Sequence, residues 1–329
     1  MTQVENGHQN RAAGPGRDGR RRRRRAEQMM VPDVEFTSYY GRPVIKEPVW
    51  EVPDVPAYLF FGGLAGASSV LAAGAGLSGY RELARVAKVG ALGGISLSAV
   101  ALIHDLGRPD RFLNMLRVFK PSSPMSMGSW LLIAYGPLAG AAAVSDVTGI
   151  LPAAGRAATA GAALFGPAIA TYTAALICDT AVPGWHEGHR EMPYLFAGSA
   201  SCAAAGLGLL ALPPAAAVPA RTLATIGVPA ELTAKRLLLR RLGDIAEPYE
   251  SGRAGQLLRA AELLAVGGLA GAVLGRRSRV VSALAGASLL AASALTRFGV
   301  FEAGVATARD PKYTIVPQRR RRDRRRGMN

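Results

Sequence analysis

An apolar run closes on His104 and Asp105, and Arg108, Asp110 and Arg111 follow within six residues. A histidine titrates near neutral pH, and a carboxylate taken out of water holds its proton more tightly unless a nearby arginine offsets the cost. These types at this spacing suit proton handling. The alternative is an interfacial salt-bridge cluster of Asp105, Arg108, Asp110 and Arg111 that stops a helix. A second group, Asp179 with Trp185, His186, Glu187, His189, Arg190, Glu191 and Tyr194, has two histidines three apart among acids, a spacing compatible with a metal. Such loop residues are more commonly solvated or bonded to their neighbours.

The elements that must position these groups are membrane helices. Uncharged stretches run from Ala57 to Ser78, Val89 to His104, Met125 to Ser145, Ala157 to Cys178, Met192 to Ala220 and Val280 to Thr296. Each approaches the roughly 20 residues that cross a bilayer. Pro213-Pro214 breaks the fifth stretch, because neither proline donates a helical hydrogen bond and each disfavours helix in the residue before it. A sixth helix then covers about Val218 to Leu239, with Glu231, Lys235 and Arg236 inside it, and a seventh covers about Leu257 to Leu274, with Arg259 and Glu262. Ionisable groups at membrane depth are functional candidates, so Glu231 and Glu262 become candidates for a proton path, against simple pairing with Lys235 or Arg259. The expected fold is all-α, a polytopic bundle of about eight transmembrane helices, with room for two four-helix halves. The loops 105–124 and 179–191 both follow even-numbered helices and so share the side of the termini.

The net charge of +16 sits mostly at the ends, in Arg20 to Arg25 and Arg319 to Arg326. No aromatic or glycine pattern accompanies these arginines, which argues against nucleic acid and for anionic lipid headgroups. The expected division is a basic tail over 1–43, a membrane domain over 44–308 and a second basic tail over 309–329. The positive-inside rule places both tails in the cytoplasm, with the first helix directing insertion in place of a cleaved signal. Cys178 and Cys202 lie in or at the end of apolar helices and build neither a disulfide framework nor an iron-sulfur motif. His104, His186 and His189 cluster near one face, so paired axial haem ligands on facing helices are not expected either.

The run IHDLGRPDRFLNMLRVFKPSSPMSMGSW, Ile103 to Trp130, resembles the helix-two to helix-three region of the NrfD family, the polysulphide reductase-like membrane subunits. REMPYLFAGSA at Arg190 to Ala200 and RFGVFEAGVATARDPKYTIVPQR at Arg297 to Arg319 are similar to it as well, so the likeness spans about Val44 to Arg319. The resemblance implies an eight-helix anchor in the plasma membrane of a bacterium. It would exchange electrons and protons with menaquinone or ubiquinone beside a four-cluster iron-sulfur subunit, which connects to a molybdopterin catalytic subunit. It implies no haem or iron-sulfur cluster in this chain.

A quinone site needs hydrogen-bond partners for two carbonyl oxygens and a protonatable group within an apolar slot. His104, Asp105 and Arg108 meet the chemical need, and Tyr58, Tyr194 and Asp179 are further pocket candidates. The family's pocket also draws polar residues from the first helix, where this chain offers Tyr58, Ser68, Ser69 and Ser78. Asp110, Arg111, His186, Glu187, His189 and Arg190 are then the docking candidates for the partner. A secondary transporter would need broken helices with charge near the midplane of both halves, and a purely structural anchor would need no redox site; the clustering of polar groups at one face favours quinone chemistry.

Overall fold

The computed structural model describes residues 44–48, 50, 52–106 and 114–326, with side chains to position 319. Arg108, Asp110, Arg111 and the first basic tail lie outside them. Among the described residues eleven α-helices follow in order: α1 Asp54–Leu77, α2 Arg81–Asp105, α3 Pro124–Thr148, α4 Pro152–Cys178, α5 Pro183–His186, α6 Met192–Ala211, α7 Val218–Leu242, α8 Glu247–Glu250, α9 Gly252–Leu274, α10 Arg279–Arg309 and α11 Lys312–Arg326. No strand occurs among the described residues.

Local chemistry sets the boundaries. Pro124 and Pro152 open α3 and α4 at positions where the missing N–H costs nothing. Gly149 ends α3 in the left-handed region at φ 74°, as a C-terminal cap commonly does. The double proline at 213–214 separates α6 from α7, as the sequence predicts.

Eight of these helices have 20 residues or more, and seven are long and apolar enough to cross a membrane. The exception is α7, whose Glu231, Lys235 and Arg236 break its apolar surface. It keeps its place because Arg221, Lys235 and one oxygen of Glu231 find partners inside the bundle. Arg221 donates to the carbonyls of Ala272 and Pro214, Glu231 accepts from Thr296, and Lys235 meets Glu262. A bilayer offers no water to do this instead.

Two spans are longer than their hydropathy. The second begins at Arg81, eight residues before the expected Val89, because Arg85 and Lys88 are offset by Asp146 on α3 at 2.9 and 2.7 Å. The last continues from Thr296 to Arg309 and carries Arg297 and Glu302 within it.

The bundle has two halves built alike. In the first, α1 packs on α2 and α4, and α3 packs on α4; in the second, α6 packs on α7 and α10, and α9 packs on α10. The halves meet through α1 and α6, which are also the most buried spans, with 78% and 67% of their apolar windows inside the protein against 28% for α2 and α9. In both halves the first and fourth helices cross at a pair of glycines, Gly66 with Gly166 and Gly206 with Gly286. A Cβ on any of the four would come within 3 Å of its partner's carbonyl oxygen. Only glycine permits that backbone approach. The outer helices turn Val100, Leu164, Ile226, Leu263 and Leu284 outward, as apolar surface facing lipid requires.

Both halves start at the same end of the bundle. The links at the far end, 78–80, 149–151, 212–217 and 275–278, are short, whereas the near end carries residues 44–48, 114–123, 179–191 and 243–251. This near end is the platform end.

Candidate functional site

At the platform end of the first half, α1, α2, α3 and α4 enclose a cavity of about 110 Å³. Tyr58 enters it from the second turn of α1 and Tyr172 from the last two turns of α4, with their hydroxyls hydrogen-bonded to each other. Their rings meet edge to face with centroids 6.4 Å apart. Asp105 closes the wall at the C-terminal end of α2, Ser129 lies on α3, and Trp50 roofs the space. The rest of the lining is apolar, including Val55, Leu102, Met115, Leu132 and Leu176. Met125, half exposed, brings the cavity to the surface of the bundle.

Beneath it lies a layer of buried hydroxyls. Tyr135 donates to the Ala65 carbonyl at 2.6 Å and is joined to Ser69 at the same distance. The Ser68 and Thr173 hydroxyls are buried with no hydrogen-bond partner among the described residues.

The structure redistributes the residues expected at this site. Tyr58 and Asp105 line the cavity; His104, Tyr194 and Asp179 do not. His104 follows Leu102 by two positions on α2 and therefore points to the opposite face, where its side chain is 78% exposed. Its Nδ1 is 2.7 Å from Asp54 Oδ2, so it ties the end of α2 to the start of α1 at the rim. Tyr194 is 71% exposed, because the inward face of α6 belongs to Met192, Leu195, Phe196 and Ser199. Asp179 is exposed at the end of α4.

The 179–191 segment is only partly a solvated loop. Trp185, read in the sequence as a member of a polar cluster, is fully buried; its Nε1–H donates to the Val300 carbonyl at 2.9 Å. Gly184 donates to Thr307 at 3.0 Å and accepts from Tyr249 at 2.9 Å. Trp185 in turn stacks on Trp50 at 5.9 Å, which brings this segment beside the roof of the cavity. The histidines are held to backbone, His186 Nδ1 at 3.2 Å from the Cys178 carbonyl and His189 Nδ1 at 2.9 Å from that of His186. Arg241 donates to the Glu187 carbonyl at 2.8 Å and pairs with Glu191 at 3.4 Å, while Arg190 stays exposed.

On the same end, a groove of about 530 Å³ carries Arg253, Glu302, Arg309 and Asp310. Lys312 of α11 reaches Glu247 at 2.9 Å. Its ammonium group, with help from Tyr313, holds the Glu247 carboxyl below the usual carboxylate range.

The second half holds a charge that sequence reasoning missed. Arg297 is fully buried, lies 3.7 Å over the Phe196 ring, and donates from Nη2 to the Phe196 carbonyl at 2.7 Å. Hydropathy stops at Thr296, which hid it; the visible signal was an arginine set among small and apolar residues in LTRFGVFEAG. Glu231 is also buried and accepts from Thr296 at 2.7 Å. Glu262 meets Lys235 at 2.9 Å, the pairing weighed against its role in a proton path.

The family model for polysulphide reductase, NrfD, matches residues 44–213, just over half of the chain. The chain belongs to the NrfD family. The match takes in the whole first half, the cavity and α6, and it ends at the double proline. This NrfD-family chain is thus a multi-pass membrane protein of a family that supplies membrane subunits of oxidoreductase complexes. A comparison with curated proteins finds no match.

Proposed function

We propose that this chain is the quinone-reactive membrane subunit of a multi-subunit oxidoreductase and that the first-half cavity receives the quinone headgroup. The observation that carries this reading is an apolar cavity, open at Met125, with the paired Tyr58 and Tyr172 hydroxyls on one side and the Asp105 carboxyl at its wall. Sites that enclose a drug-sized ligand run to about 300–1,000 Å³. A volume of about 110 Å³ suits one ring, with the isoprenoid tail left in the lipid.

In this reading the tyrosine hydroxyls hydrogen-bond one quinone oxygen and Asp105 takes or returns the proton at the other. Electrons pass through the platform end to or from a four-cluster iron-sulfur subunit, itself attached to a molybdopterin subunit. The exposed Arg190, the 179–191 segment and the groove at Arg253 and Arg309 offer the docking surface.

A photoreactive short-chain quinone azide tests the location of the site. In membranes holding the assembled complex, it should label peptides spanning 50–58, 102–132 and 172–176, and excess unlabelled quinone should remove the label. Label confined to 192–309 would place the site in the other half.

We further place the chain in the plasma membrane of a bacterium with the platform end and both basic tails in the cytoplasm, on the weight of Arg20 to Arg25 and Arg319 to Arg326. A cysteine at position 328 should then resist a membrane-impermeant maleimide in intact cells. Ready labelling there would invert the topology, a result for which Arg276, Arg277 and Arg279 at the far end would supply the reason.

A further inference from the structure

The Glu231 carboxyl and the Arg297 guanidinium lie deep in the bundle without touching. Glu231 is eleven residues from the platform end of α7, about 16 Å along a helix. Its Oε1 accepts from Thr296 and the Cys202 thiol lies beside the carboxyl, but Oε2 is buried with no partner at hydrogen-bond geometry among the described residues. Arg297 uses Nη2 on the Phe196 carbonyl, and its Nε and Nη1 are buried with no partner among the described residues. An arrangement meant only to neutralise charge would join these atoms directly, because a fork of donors onto a carboxylate is the strongest contact available to them. Here one acceptor and two donors are left without a partner among the described residues.

Glu231 borders a small cavity. It measures about 10 Å³ and is lined by Glu231, Lys235, Glu262 and Thr296 among apolar residues. This is about the smallest volume that holds one water. Lys235 Nζ lies 2.9 Å from Glu262 Oε2 and 3.1 Å from the Leu258 carbonyl. Lys235 is 15% exposed and Glu262 38%, so the pair reaches from the cavity to the surface. Every element packed around Glu231 contributes a group toward it: Cys202 from α6, Lys235 from α7, Glu262 from α9, and Thr296 and Arg297 from α10. Arg297 also borders the first half, since a Cβ on Gly63 of α1 would stand 3.0 Å from Nη2.

We propose that Glu231 is an internal proton-exchange site, supplied through a water beside the Lys235–Glu262 pair and held next to Arg297 at the seam between the two halves. A proton enters from Glu262 or Lys235, crosses the water and binds Glu231 Oε2; it leaves by the same path, and no electron moves. This inference concerns a different half of the bundle from the quinone reading and does not rest on it.

Infrared spectra of the complex in lipid, compared between pH 9 and pH 5, test it. A protonated-carboxyl stretch should grow toward low pH and be absent from Glu231→Gln. After a jump into heavy water its deuterium shift should be fast in the native chain and at least tenfold slower in Lys235→Gln/Glu262→Gln. That double variant leaves Glu231 in place, so the exchange rate is readable even if Glu231→Gln fails to assemble. No Glu231-dependent band anywhere in this range would mean a fixed charge pair, and an unchanged exchange rate would remove Lys235 and Glu262 from the path; either result overturns the proposal.

Discussion

Arg297→Met is expected to reduce the assembled protein in membranes to a small fraction of the native amount. The substitution keeps the apolar stem that crosses the Phe196 ring, yet it leaves the Phe196 carbonyl without its donor and removes one of the two cations beside the Glu231 carboxyl, leaving Lys235 alone. Removing one partner of a buried charged set costs about 3–5 kcal/mol, comparable with the whole stability of many proteins. Pairing it with Glu231→Gln removes the stranded charge. The double variant should therefore recover part of the loss, with a coupling of about 1 kcal/mol or more in a thermal-unfolding cycle. Strictly additive losses would show that Arg297 acts through packing alone.

The sequence showed the elements whose signal is apolar length and hid those whose stability comes from contacts across the bundle. The third and fourth spans, and the break at Pro213-Pro214, follow from runs of apolar residues and from proline chemistry. Arg85 and Lys88 look like the polar edge of a span until Asp146, some 60 positions away, is seen to meet them. Arg297 looks like the end of one until Phe196 is seen beneath it. Trp185 was read with its charged neighbours, although its partners, Val300 and Phe301, lie more than a hundred residues further on.

The site was legible to the same degree. Asp105 was singled out by its type at a helix end and Tyr58 by the resemblance, which implies polar residues on the first helix; both line the cavity. Tyr172, which completes the hydroxyl pair, was not found, because a tyrosine inside an apolar span carries no local mark. His104 was placed in the chemistry by its type, but a helix turns two adjacent residues about 100° apart, and only Asp105 of the two lines the cavity. Tyr194 fell on the outward face of α6 for the same reason of phase. Helical phase at a span's end depends on where the helix begins, which composition alone leaves open.

The most direct test of the central claim is quinone turnover by the assembled complex carrying Asp105→Asn, with Tyr58→Phe as a companion and subunit content measured in the same membranes. Asparagine preserves the shape of the carboxyl but cannot take up the proton, and a positioned acid or base contributes roughly 10²–10⁴-fold to such steps. We expect turnover to fall about 10²-fold at native assembly for Asp105→Asn, with a smaller fall for Tyr58→Phe, which loses one hydroxyl of the pair and keeps Tyr172. Native turnover at native assembly in both variants would contradict the account and leave the cavity a structural void.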